Sequence, residues 1–297
     1  MNLPTDLVQK LYDVHEDAAP WLAELDGLIV GLETRWHIRV TGLVEELSYN
    51  VVAFAEGEEG APYVLKLSPP SEDFSREILA LRLYDGDGIC RLVEANEEVG
   101  AMLLERLQPG VSLWNTDDDE GATRTAAELM QRLWRPVTEP NSFRSLRSWA
   151  RELYAYPQQT VGILPHAFVD KAVEVFDELL QDPQPPVLLH ADLHHGNILS
   201  ADRAPFLAID PKGIVGPRGY DVANFLRNPL GLEQRPDLRR ILDARVNIFS
   251  EMLGMSPEEV AAWGFAHGVL SAVWSLSATD ANISGSLIIL GELERLL

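Results

Sequence analysis

The segment His190-Ala-Asp-Leu-His-His-Gly-Asn197, followed by Ile209-Asp210, sets a carboxylate, an amide and a second carboxylate close together in the chain. Magnesium prefers hard oxygen ligands and leaves the rest of its shell to water or phosphates. The amide of Asn197 and the carboxylate of Asp210 suit that ion. The remaining carboxylate, Asp192, is then available to take a proton from an attacking hydroxyl. Upstream, Lys66 lies inside the apolar run Val64-Leu-Lys-Leu67, where an unpaired charge would be costly. Glu77, on the following helical stretch, is its candidate partner, and such a pair could hold the ammonium against a nucleotide's phosphates. The imidazoles of His190, His194 and His195 offer a competing chemistry, a zinc site that activates water for hydrolysis. That reading leaves Lys66 and the order of the later elements unexplained.

These residues need elements to carry them. Leu3 to Leu32 reads as helical, with Leu7, Val8, Leu11 and Val14 at helical spacing. Trp36 to Val40, Val51 to Ala55 and Tyr63 to Leu67 are β-prone runs joined by short turns, which predicts an antiparallel sheet. Ser71 is placed to cap a helix from about Glu72 to Tyr84, closed by Asp85-Gly-Asp-Gly88 and carrying Phe74, Ile78, Leu81 and Leu83 among its apolar positions. Two more strands are expected around Cys90 to Ala95 and Val99 to Leu104. Gln108-Pro-Gly110 breaks the pattern and suggests a boundary, with one lobe over 1–107 and another over 108–297. Beyond it, helices are expected over Gly121 to Leu133, Ser142 to Tyr156, Ala167 to Leu180, Leu238 to Leu253 and Pro257 to Ser277, with a last piece to Leu297. The short apolar runs Pro185 to Leu189 and Pro205 to Ile209 interrupt them, and each is followed at once by polar residues that would project from strand ends into a cleft.

Taken in order, the set resembles the catalytic core of the aminoglycoside phosphotransferases, a protein-kinase-like family. The longer string Leu188-Leu-His-Ala-Asp-Leu-His-His-Gly-Asn-Ile-Leu199 with Ala208-Ile-Asp-Pro-Lys-Gly213 is most similar to the streptomycin 6-kinase and hydroxyurea phosphotransferase branch, where Asp-Pro-Lys stands in place of the Asp-Phe-Gly of protein kinases. The resemblance runs from about Arg39 to Asn228 and is most specific between Leu188 and Asp221. It implies a bilobal α+β fold. The N-lobe would hold a five-stranded antiparallel sheet and one key helix, the C-lobe would be mainly helical, and ATP and Mg2+ would bind between them.

The same resemblance implies roles for single residues. Lys66, oriented by Glu77, would contact the α- and β-phosphates; Asp192 would be the catalytic aspartate; Asn197 and Asp210 would hold magnesium. The Glu105 carbonyl and Leu107 amide would meet the adenine edge, with Leu199 and Ile209 packed beneath it. Asp221, in Tyr220-Asp-Val-Ala223, would steady the catalytic segment or approach the substrate, and His190 would make structural hydrogen bonds. Two departures stand out. The loop Glu46-Leu-Ser-Tyr-Asn50 has no glycine where kinases cover the phosphates with a glycine-rich turn, so backbone amides and the Ser48 hydroxyl would have to serve. Lys212 puts a cation beside the metal site, to touch phosphate or to pair with a neighbouring acid.

The expected reaction is transfer of the γ-phosphoryl group of ATP to a hydroxyl of an aminoglycoside-like or hydroxyurea-like substrate, with antibiotic resistance as an implied role. A kinase of a sugar or amino alcohol, and a non-catalytic nucleotide-binding module of the same fold, are the alternatives. Composition agrees with a small-molecule partner. The 297 residues carry 24 basic and 46 acidic side chains, a formal charge of −22, which disfavours nucleic acid and anionic membrane and suits a cationic or polyhydroxylated substrate. The acidic run Asp117-Asp-Asp-Glu120 reads as a solvated loop, and Trp263, Trp274 and His267 at helical spacing read as core. The single cysteine, Cys90, excludes an internal disulfide and a thiolate zinc site. No apolar signal core and no membrane-spanning run is found, which points to a cytoplasmic protein.

Overall fold

A computed structural model describes residues 2–44, 49–139, 142–156, 164–278 and 283–297. The chain divides into two compact units, Met1–Gly110 and Val111–Leu297.

In the first unit, helices α1 (Thr5–Val14) and α2 (Ala18–Trp36) precede strands β1 (Arg39–Leu43), β2 (Val51–Glu56) and β3 (Pro62–Leu67). Helix α3 (Glu72–Tyr84) follows, and then β4 (Leu92–Asn96) and β5 (Ala101–Glu105). The five strands form one antiparallel sheet in the order β1-β2-β3-β5-β4. Successive strand side chains point to opposite faces. Val51 and Ala55 of β2 and Leu65 and Leu67 of β3 therefore share one face, where they pack with Leu7, Leu11, Leu25, Ile29 and Leu32 of α1 and α2. The same alternation turns Lys66 to the opposite face.

Helix α3 begins where Ser71 directs: its hydroxyl accepts the Phe74 N–H at 3.2 Å. Phe74, Glu77, Ile78, Ala80, Leu81 and Tyr84 form its buried side, whereas Leu83, expected among its apolar positions, is exposed because it falls on the other side of the helix. Trp36, expected to open a strand, instead closes α2, and His37 ends the helix in the left-handed conformation before β1 starts at Arg39. Local alternation there was outweighed by continuation of the helical apolar stripe.

β6 (Pro109–Ser112) leads into the second unit. Helix α4 (Asp119–Leu133) is followed by the two-residue strands β7 (Arg135–Pro136) and β8 (Arg144–Ser145). The helix expected over 142–156 is broken: beyond β8 come the short α5 (Leu146–Trp149) and α6 (Arg151–Ala155), with Ser145 capping α5. After α7 (His166–Leu179) come β9 (Val187–Leu189), β10 (Ile198–Ala201), β11 (Ala204–Ala208) and β12 (Ile214–Gly216). The chain ends in α8 (Val222–Leu226), α9 (Leu238–Leu253), α10 (Pro257–Ala278) and α11 (Ser284–Glu294). Helix α10 is apolar around its circumference, as a helix packed on several sides must be; Val260, Phe265, Val269, Leu270 and Val273 are all buried. Trp263 and His267 are buried with them. Among the described residues no helix is long and apolar enough to cross a membrane.

Candidate functional site

The first unit carries the Lys66–Glu77 candidate pair. The Lys66 ammonium donates to both carboxylate oxygens of Glu77, at 2.7 and 2.8 Å, and the two residues are only 2% and 9% exposed. The pair joins β3 to α3, and because both charges are desolvated, removing either partner would strand the other at a cost well above that of a surface ion pair. Glu105 lies at the end of β5, where its N–H donates to the Arg91 carbonyl at 2.9 Å and its carboxylate accepts the Arg91 N–H at 3.0 Å. Leu107 follows, buried. Ser48 lies outside the described residues.

The second unit gathers the remaining candidates through strand pairing. Antiparallel β10 and β11 set Ile198 opposite Ala208, so Asn197 and Ile209 become neighbours, with the Ile209 N–H on the Asn197 carbonyl at 3.0 Å. Antiparallel β9 and β12 set Leu189 opposite Ile214, and the Lys212 N–H reaches the His190 carbonyl at 2.9 Å. Positions 190–197 and 209–212 thus belong to one constellation. Leu199 and Ile209 are half-buried. Ala191 and Asp210 both have a φ of 62°, in the left-handed region that β-carbon-bearing residues adopt at a cost.

Within this constellation the Asp192 carboxylate is held at both oxygens. Oδ1 accepts from Asn224 Nδ2, and Oδ2 lies 3.1 Å from the Lys212 ammonium. The Asn197 amide donates its nitrogen to the Asp192 carbonyl at 2.9 Å, which leaves the amide oxygen as the group free to bind a cation. An amide oxygen and the Asp210 carboxylate make a hard donor set that fits magnesium.

Beneath the loop, Asp221 is 1% exposed and accepts the backbone N–H groups of Ala191 at 2.7 Å and His190 at 3.3 Å, together with the Trp134 indole at 3.1 Å. Burial pushes its carboxyl up to about 6, against the pull of those three donors. His190 Nε2 faces the Ile209 carbonyl at 2.8 Å and must donate, so Nδ1 is bare and accepts the Asp192 N–H at 3.3 Å. Burial lowers this imidazole to about 4, so it is neutral at physiological pH.

The zinc reading fails on this geometry. Both His190 nitrogens are committed, His194 Nδ1 accepts the Gly196 N–H at 3.0 Å, and His195 stacks on Phe225 with ring centroids 3.9 Å apart. Among the described residues no three His, Cys, Asp or Glu side chains gather as a metal site.

Three participants escaped the sequence reading. Asn224 lies just past the Tyr220-Asp-Val-Ala223 motif, and its polarity inside the otherwise apolar Val222–Leu226 helix was an available signal. Arg245, on α9, is fully buried, and its guanidinium meets the Asp119 carboxylate as well as the carbonyls of Phe225 and Asn228. Asp119 does not lie in the solvated loop that the acidic run Asp117 to Glu120 predicts. Instead it bonds that arginine, while Asp118 caps α4 by accepting the Gly121 N–H at 3.0 Å.

Residues 35–278 match the family model for aminoglycoside/hydroxyurea antibiotic resistance kinases. Streptomycin 6-kinase from Streptomyces glaucescens is 29% identical over 282 residues, covering 93% of this chain and 91% of that protein. Hydroxyurea phosphotransferase from Kitasatospora aureofaciens is 30% identical over 283 residues, covering 93% and 81%. An amicoumacin kinase solved with AMP-PNP and Ca2+ shares the fold, with a TM-score of 0.65 at 16% identity over 95% of this chain and 96% of that one. The family match takes in the whole Lys66-to-Asp221 set, and the chain belongs to the aminoglycoside/hydroxyurea antibiotic resistance kinases.

Proposed function

We propose that the protein transfers the γ-phosphoryl group of ATP to a hydroxyl of a small, cationic or polyhydroxylated acceptor of the streptomycin or hydroxyurea type. The observation that carries this reading is the constellation of Asp192, Asn197 and Asp210, with the Asn197 amide nitrogen spent on the backbone and its oxygen left over for a cation. Bound magnesium would neutralise phosphate charge, and Asn197 and Asp210 are the residues to hold it.

The other groups bind and orient. Lys66, held by Glu77, contacts the α- and β-phosphates. The Glu105 carbonyl and Leu107 amide are the groups to meet an adenine edge, and Leu199 and Ile209 offer apolar surface for the base. Asp221 fixes the His190–Ala191 backbone, and neutral His190 ties that loop to Ile209. In the transfer the acceptor oxygen bonds to the γ-phosphorus. The bond from that phosphorus to the bridging oxygen breaks, its electrons leave with ADP, and the hydroxyl proton passes to Asp192. Positioning and charge neutralisation supply most of the rate in such a reaction, because little covalent chemistry falls to the protein. The site belongs to a cytoplasmic enzyme with no nucleic-acid or membrane partner.

The test is ADP release with Mg-ATP over a panel of streptomycin, other aminoglycosides, hydroxyurea and common sugars, with product mass to confirm one added phosphoryl group. Turnover of streptomycin or hydroxyurea is the expected result. Turnover of a sugar or amino alcohol alone would reassign the acceptor, and nucleotide binding without turnover of any compound would leave only a binding module.

A further inference from the structure

We infer that Asn224 is the positioning residue of Asp192, and that its orientation is enforced from the buried guanidinium of Arg245 through Asn228. The inference rests on Asp192 being the proton acceptor, as proposed above.

The Asp192 carboxylate, when ionised, can only accept hydrogen bonds, so the Asn224 amide must present its nitrogen there. An asparagine side chain is otherwise free to turn over, and the turned form would set oxygen against carboxylate. Asn228 prevents this: its Nδ2 lies 3.3 Å from Asn224 Oδ1 and 2.9 Å from the Asn224 main-chain carbonyl, one turn back along the chain. Asn228 is anchored in turn, because its carbonyl accepts from Arg245 Nη1 at 2.5 Å. The same nitrogen reaches the Phe225 and Leu226 carbonyls at 3.0 and 3.3 Å, which gathers the end of α8. Arg245 cannot drift, since it is fully buried and its Nε meets the Asp119 carboxylate at 3.1 and 3.2 Å.

The consequence for the reaction is a carboxylate fixed in its plane: Oδ1 is held by Asn224, and Oδ2 is paired with the Lys212 ammonium at 3.1 Å. A fixed carboxylate plane matters because misplacement of a reacting group by about 1 Å can cost roughly a hundredfold in rate.

The experiment compares wild type, Asn224→Ala, Asn228→Ala and the double variant with Mg-ATP and streptomycin, measuring kcat, KM for ATP and the thermal midpoint, with Asp192→Asn as control. Asn224→Ala is expected to lower kcat at least tenfold with KM for ATP unchanged. Asn228→Ala should lower kcat less, and should cost nothing further in the Asn224→Ala background, because it acts through that amide. A kcat within twofold of wild type for Asn224→Ala overturns the inference, and so does a full additional loss from Asn228→Ala in the double variant. A loss of kcat matched by a rise in KM for ATP and a fallen thermal midpoint would also overturn it, by assigning Asn224 a merely structural part. If Asp192→Asn itself turns over normally, the functional reading fails rather than the positioning of its carboxylate.

Discussion

Replacing Lys66 and Glu77 separately and together gives the most direct measure of what the buried pair contributes to the first unit. The ammonium sits 2.7 and 2.8 Å from the two carboxylate oxygens, and the side chains are 3% and 12% exposed. At such a separation and an effective dielectric near 20 the attraction is about 6 kcal/mol. Desolvation of both ions offsets much of it, so the net worth of the pair is small, while loss of one partner strands the other charge at a cost of about 3–5 kcal/mol. Lys66→Met and Glu77→Leu should each lower stability by about that amount. The double variant should regain most of the loss, because two apolar side chains fill the same buried space, yet it should remain inactive if the ammonium binds phosphate as proposed. Urea unfolding followed by circular dichroism supplies the four stabilities, and ADP release supplies the activities. Single losses under about 1 kcal/mol that simply add in the double variant would refute the argument.

Asp192→Asn should leave binding of AMP-PNP largely intact, measured by calorimetry, while turnover falls by about 10²–10⁴, the usual contribution of a positioned base. Acid should destabilise the fold below neutrality. Burial lowers His190 from 6.5 to about 4 and His195 from 6.5 to about 2, and lowers His267 too, so the unfolded chain binds protons that the native state refuses as pH falls below about 6.5. His190 and His195 would each cost about 2 kcal/mol at pH 5. Asp221, raised from 3.8 to about 6, works in the opposite sense and returns about 1–2 kcal/mol there. A net fall in the urea midpoint between pH 7 and pH 5 is therefore expected, and an unchanged midpoint would contradict the neutral buried imidazoles. Gly100→Ala should destabilise the first unit by several kcal/mol, visible as a lowered thermal midpoint: φ is +67° there, and an added Cβ would meet the Ser68 carbonyl oxygen at 1.8 Å.

Elements whose signals are local were legible in the order of residues alone. Ser71 ahead of an apolar helical pattern marked α3 at its observed ends, and the short apolar runs before His190 and Asp210 marked β9 and β11. The order of the polar residues after those strands was enough to nominate a candidate site, because a strand end delivers the side chains that follow it to one neighbourhood. Which distant groups those side chains meet was settled by packing. The 142–156 stretch has helical composition, but it breaks at β8, whose parallel pairing with β12 no local pattern specifies. Asn224 reaches Asp192 across 32 residues and Arg245 reaches Asp119 across 126. Lys212 could have joined any nearby acid, and strand pairing at β9 and β12 placed it against Asp192. Periodicity and capping are written in neighbouring residues, whereas the partner of a buried charge is set by the packing that brings remote segments together, and the desolvation cost of leaving that charge alone then selects the contact.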